Sequence, residues 1–139
     1  MASWAEVEAA APEFAARVRE LFQARKHKTM ATLRADGSPR ISGIETQFGG
    51  QVTFGSMAGS RKSADLDRDP RVALHSPSVD PPEDDPSAWV GEAKIAGRAV
   101  STHDGFCLDI AEVVLTYLGG GLVVESWHPR RGHQKRVRD

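Results

Sequence analysis

The sequence predicts a mainly β, antiparallel domain, entered through a helical arm and interrupted by one short helix. Three observations carry this. Apolar residues at helical spacing up to His27 give way, from Lys28 onward, to short runs rich in apolar and β-branched residues. Those runs are separated by tight-turn signals at Asp36-Gly37, Gly49-Gly50 and Gly119-Gly120-Gly121. Between them, Val52-Thr53-Phe54 passes through small residues into a helix-start signal at Ser60, and Pro70 marks where that helix stops.

Taken in order, Ser3-Trp4-Ala5-Glu6 reads as a capping box, in which serine and glutamate satisfy each other's free backbone N–H groups. A first helical segment runs toward Ala11. Pro12 suits the opening turn of a second, with Phe14, Val18, Leu21 and Phe22 on one face. These residues, 1–27, form an arm that packs against the strands. The domain proper is expected over 28–139. Thr29–Leu33 is a strand, Arg40–Gln47 a second, and the segment ending at Phe54 a third, which makes a meander. The helix from Ser60 and a strand over Arg71–His75 follow.

Residues 77–87 combine prolines with acids and read as a mobile surface loop. Trp89–Val100 resumes extended structure, with Gly97 at a bulge or barrel bend. Phe106–Leu118 fits helical and strand spacing alike. A strand from about Asp109 is preferred, because the three glycines and Leu122–Trp127 then complete a hairpin. The tail holds Arg130, Arg131, Lys135, Arg136 and Arg138. It reads either as a disordered basic arm or as solvated charges at a chain end. No interleaved aromatics or second basic stretch accompany it, so nucleic acid is not the expected partner.

Composition narrows the class. The 139 residues suffice for one hydrophobic core; 40% are apolar and 27% charged, with a net charge of −1. That balance advertises neither nucleic acid nor a membrane surface. Cys107 is the single cysteine, which permits no internal disulfide and fits a reducing compartment. Glu6, Glu8 and Glu13 do not suit a signal peptide, and no transmembrane run occurs. A cytoplasmic protein is the expectation.

The stretch built for a ligand is 54–70. Ser60 as N-cap leaves backbone N–H groups at the positive end of the helix dipole, where an anion is stabilised, phosphate above all. Arg61 adds a planar fork and Lys62 a second charge. The plain alternative is a strand–turn–helix whose two cations sit in water. The phosphate loop of nucleotide hydrolases is excluded: Gly55 and Gly59 are too close, and Ser60-Arg61 separate Gly59 from Lys62.

Three motifs in order carry a resemblance: Ala31–Glu45 (ATLRADGSPRISGIE), Gly55–Lys62 (GSMAGSRK) and Asp69–Leu74 (DPRVAL). They resemble the pyridoxamine 5′-phosphate oxidase-like family of FMN-binding split β-barrels, from about residue 28 to 77 and more weakly from Ala93 to Trp127. The resemblance implies a split β-barrel, antiparallel and Greek-key-like, with an N-terminal helix and one short helix between strands. It implies FMN, or coenzyme F-420 (a deazaflavin) in related reductases, bound at the interface of a homodimer. Arg40, Ile41, Ser42, Gly43 and Ile44 match the strand lying along the flavin ring and ribityl chain, with Arg40 placed to reach the phosphate. Gly55 and Ser56 match an aromatic–Thr pair near phosphate and ribityl chain. Ser60, Arg61 and Lys62 fall at the phosphate. Trp127 falls where the family has a tryptophan near the flavin, and it reads equally as a core residue.

Departures from the family pattern narrow the chemistry. Glu45 stands where the true oxidases carry a substrate lysine, reversing the charge beside the site. Glu92 replaces a glutamine that touches the flavin. Arg131-Gly132-His133 echoes the Arg-x-His substrate motif only through a shortened loop. A long substrate-binding helix is missing, and only a short link near His103-Asp104-Gly105 remains, leaving that wall open. Vitamin B6 oxidation is therefore not expected. The five histidines show no metal-ligand spacing, and Cys107 lacks a catalytic partner. The expected function is an FMN-dependent oxidoreductase acting on a small molecule. The alternatives are a deazaflavin-dependent reductase and a non-catalytic flavin-binding or storage protein.

Overall fold

A computed structural model describes residues 1–55, 57 and 59–138. Two helices open the chain, α1 (Trp4–Ala10) and α2 (Pro12–Gln23). The Ser3 side chain accepts from the Glu6 N–H at 3.2 Å, one half of the expected capping box. Trp4, Val7, Phe14, Val18 and Phe22 are all buried, so the arm contributes its apolar face to the core. Each such side chain stabilises the fold by about 1.5–3 kcal/mol relative to an exposed one.

The strands are β1 (Lys28–Leu33), β2 (Pro39–Ile44), β3 (Gln47–Phe48), β4 (Val52–Gly55), β5 (Arg71–His75), β6 (Glu92–Ser101), β7 (Gly105–Leu118), β8 (Leu122–His128) and β9 (Gly132–Arg138), with α3 (Arg61–Arg68) between β4 and β5. They form one antiparallel sheet in the order β2-β1-β5-β6-β7-β4-β3, with β8 added on β7 and β9 on β8. β2 and β3 lie at opposite ends of that order, yet only Glu45 and Thr46 link them. Three Cα steps reach about 11 Å, so the sheet must curl round until its ends nearly meet. The barrel is open at that seam.

A second opening lies along β7. One edge pairs with β6 throughout; the other pairs with β4 over Gly105–Cys107 and with β8 over Val113–Leu118. Into the stretch between them comes the N-terminus: Ile110 N–H donates to the Ala2 carbonyl at 3.0 Å, and Ala2 N–H to Asp109 Oδ1 at 2.8 Å. Backbone groups that no strand reaches are thus satisfied by the arm.

Three expectations are corrected. The second strand ends at Ile44, not Gln47, because the chain leaves one sheet edge for the other there. β7 begins at Gly105, where Gly105 pairs with Gly55. Residues 77–87 form a loop, as expected, entering only at its end a 3-10 turn, Pro86–Ala88. The tail is no disordered arm: Gly132–Arg138 pairs along the whole of β8. Its side chains are solvated, as the other reading of the tail has it. The bulge at Gly97 is present as a register shift between Ala96 and Gly97.

Candidate functional site

The site is built where α3 begins. Gly59, at φ +80°, turns the chain into the helix. Ser60 caps it: its Oγ accepts from the Ser63 N–H at 3.3 Å, and its hydroxyl donates to Ser63 Oγ at 2.7 Å. Ser56 lies outside the described residues. Arg61 is exposed on the first turn and has no hydrogen bond or ion pair among the described residues. Lys62 reaches sideways, donating from Nζ to the Gly43 carbonyl at 3.1 Å. This bond ties the helix to β2, an edge strand paired only with β1. The sequence-predicted residues Arg61, Lys62, Arg40 and Gly43 are thereby brought to one neighbourhood.

A groove of about 440 Å³ runs along α3 from its first residue to its last, lined by Arg34, Ala35, Asp36, Arg40, Arg61, Ala64, Asp65 and Arg68. Four arginines face two aspartates. Asp36 is occupied with its own turn, accepting from Ser38 N–H at 2.9 Å and the Ser38 hydroxyl at 2.6 Å. Asp65 is buried and accepts from Arg40 Nε at 2.7 Å, the Thr32 hydroxyl at 2.8 Å and Arg68 Nη2 at 2.9 Å. The Arg40 hydrogen bond holds its carboxyl down at about 2 against the upward push of burial, with Thr32 and Arg68 adding to the effect. The lining carries a net charge near +2, which suits a dianion.

β2 runs from this groove to a second hollow. The five residue steps from Arg40 to Glu45 span about 17 Å at strand rise. Arg40, Ser42 and Ile44 alternate with the exposed Ile41 and Gly43. A Cβ placed on Gly43 or Gly55 would meet nothing within 4 Å among the described residues. The second hollow, about 650 Å³, is lined by Lys26, Lys28, Glu45, Thr46, Gln47, Thr53, Phe54, Gly55, Thr102, Asp104 and Phe106. The short link expected as an open wall supplies Thr102 and Asp104. Two lysines balance two acids, and Lys28 donates to the Arg25 and Lys26 carbonyls, both at 2.8 Å. Burial lowers the Lys28 pKa, with Glu45 opposing.

Other expected positions lie apart. Trp127 sits opposite Val113 in the sheet, is 4% exposed, and lines neither hollow. Glu92 is engaged by His75 Nε2 at 2.9 Å, and His133 by Glu125 at 2.7 Å. No group of three His, Cys, Asp or Glu side chains gathers for a metal ion among the described residues. Asp65, Thr32, Arg34 and Arg68 escaped the sequence reading. Only the Asp65–Arg68 offset of three on a helix signals them in sequence; Thr32 and Arg40 lie 33 and 25 residues from Asp65.

Comparison with known proteins matches this geometry at the level of fold. The pyridoxamine 5′-phosphate oxidase-related, FMN-binding protein of Nostoc punctiforme superposes with a TM-score of 0.61 at 13% identity, over 100% of this chain and 98% of that one. PhzG of Burkholderia lata, solved with tetrahydrophenazine-1-carboxylic acid, superposes at 0.61 and 14% identity over 93% and 87% of the two chains. A heme-binding protein of Mycobacterium smegmatis superposes at 0.57 and 18% identity over 99% of this chain, which spans only 59% of that protein. Among curated proteins none matches. The family model described as pyridoxamine 5′-phosphate oxidase matches residues 14–115, most of the barrel and much of the arm, and the chain belongs to that family.

Proposed function

We propose that the protein binds FMN and acts as a flavin-dependent oxidoreductase on a small, non-phosphorylated molecule, as a homodimer with the cofactor at the interface. The observation that carries this is the arginine groove joined end to end with an open edge strand and a second, charge-balanced hollow. The residues fit the cofactor. Arg61 and the N–H groups at the start of α3 would meet the phosphate dianion, with Arg40 alongside and Lys62 turning from Gly43 of β2 to add its charge. The backbone of Ile41, Ser42, Gly43 and Ile44 would hydrogen-bond the polar edge of the ring, and Gly43 and Gly55, with no described atom within 4 Å of an added Cβ, admit it. Ser60, which caps the helix, would stand beside the phosphate, and the family resemblance assigns Ser56 to the cofactor as well. Trp127, buried in the core on β8 and lining neither hollow, takes no part in this reading.

When bound, FMN supplies the electron transfer; the chain binds, orients and shields it. Glu45 and Asp104 set against Lys26 and Lys28 leave the second hollow without net charge, which disfavours a phosphorylated substrate and suits a neutral one. A homodimer is expected because open sheet edges are costly to leave bare.

The test is to heat the purified protein and identify what is released by absorbance and mass. One FMN per chain is expected; a deazaflavin would select the alternative reading. No bound flavin together with no binding on titration would overturn the proposal. Replacing Arg61 and Lys62 together by Ala should weaken FMN binding by a few kcal/mol, at roughly 1.5–3 kcal/mol per charged hydrogen bond. Unchanged affinity in the folded variant would rule out the phosphate grip. Reduction of the bound flavin by NAD(P)H and screening of acceptors separate an enzyme from a storage protein.

A further inference from the structure

Asp65 is the most buried carboxylate among the described residues, 2% exposed, yet it lines a groove whose charge otherwise invites anions. On Coulombic grounds alone a carboxylate there opposes phosphate binding. Its bonds point to another role. It takes donors from three elements: Thr32 on β1, Arg40 on β2 and Arg68 on α3. Arg40 is gripped by Nε, which leaves both of its Nη groups without a hydrogen bond among the described residues. Arg68 is gripped by Nη2, which also donates to the Leu33 carbonyl at 3.0 Å. Two guanidiniums are therefore held still in the groove wall next to Arg61, which nothing described restrains.

We infer that Asp65 is a positioning residue for anion binding: it fixes the guanidiniums of Arg40 and Arg68 so that their remaining N–H groups meet the cofactor phosphate together with Arg61. This rests on the flavin reading above. A fixed fork loses less freedom on meeting an anion than a mobile one, so the clamp outweighs the repulsion it brings. The carboxyl, held at about 2, stays ionised at working pH, so the clamp is permanent.

The measurement is a pair of fluorescence titrations, with FMN and with riboflavin, which lacks the phosphate. The wild type should prefer FMN. Asp65→Asn should lose about tenfold or more in FMN affinity, about 1.4 kcal/mol, with riboflavin affinity unchanged. Simple electrostatics expects the opposite sign, since the variant adds net positive charge. Equal or tighter FMN binding by the variant overturns the inference, and so does a parallel loss for both ligands, which a merely structural role would produce. Should Asp65→Asn fail to fold, Thr32→Val removes one donor and keeps the charge. About a threefold drop in the FMN-to-riboflavin ratio is then expected, and an unchanged ratio overturns the inference. A wild type that binds both ligands equally ends the phosphate grip itself, whereas a wild type that prefers FMN beside an indifferent variant ends only the role given to Asp65.

Discussion

Three donors converging on Asp65 make acid stability a residue-scale property of this chain. Folding lowers its carboxyl from 3.8 to about 2. The native state therefore holds fewer protons than the unfolded chain in this window, and stability rises with pH across it. The contribution is complete above about pH 4 and is lost as the pH falls through about 2. Urea unfolding midpoints should fall over that range in the wild type and fall less in Asp65→Asn. Asp69, held down by Arg71, shares the window and leaves a residual slope. Equal slopes in the two proteins would show that Asp65 is not the group titrating. Arg61 and Lys62 were legible in sequence because a capped helix start is a local signal. Asp65 was not, because two of its three donors come from strands brought near only by the fold.

At the scale of elements, Gly97 decides how β6 turns across β7. A Cβ there would lie 2.0 Å from the Asp109 carbonyl oxygen, in the bulge where register shifts. Gly97→Ala should cost about 1–3 kcal/mol in chemical denaturation, the usual penalty for overpacking. Gly43→Ala, with nothing within 4 Å of the new Cβ, should stay within about 0.5 kcal/mol. Equal effects would contradict the packing described. The sequence marked Gly97 as a bend because a glycine interrupts a strand pattern. It did not mark β9, because Gly-His-Gln-Lys-Arg-Val-Arg shows no buried alternation: its only apolar member, Val137, is 52% exposed. That strand is held by backbone pairing and by His133 on Glu125, neither of which leaves a trace in hydrophobic periodicity.

At the scale of the molecule, Ala31, Ala73 and Ala96 lie side by side on β1, β5 and β6, flooring an apolar hollow of about 460 Å³ rimmed by Arg71 and Arg98. Sedimentation of the proposed homodimer should give twice 15.1 kDa, about 30 kDa. A wild type sedimenting as a single chain would remove the homodimer from the proposal. The sequence by itself determined the helical arm, most strands, the capped turn carrying Arg61 and Lys62, and the family, because caps, turn glycines and alternation are written in neighbouring residues. Only the tertiary structure decided that the sheet curls until β2 and β3 nearly meet, that Ala2 fills the gap along β7, and that Asp65 gathers two arginines into one wall. Those depend on contacts between residues far apart in the chain, which no local pattern encodes.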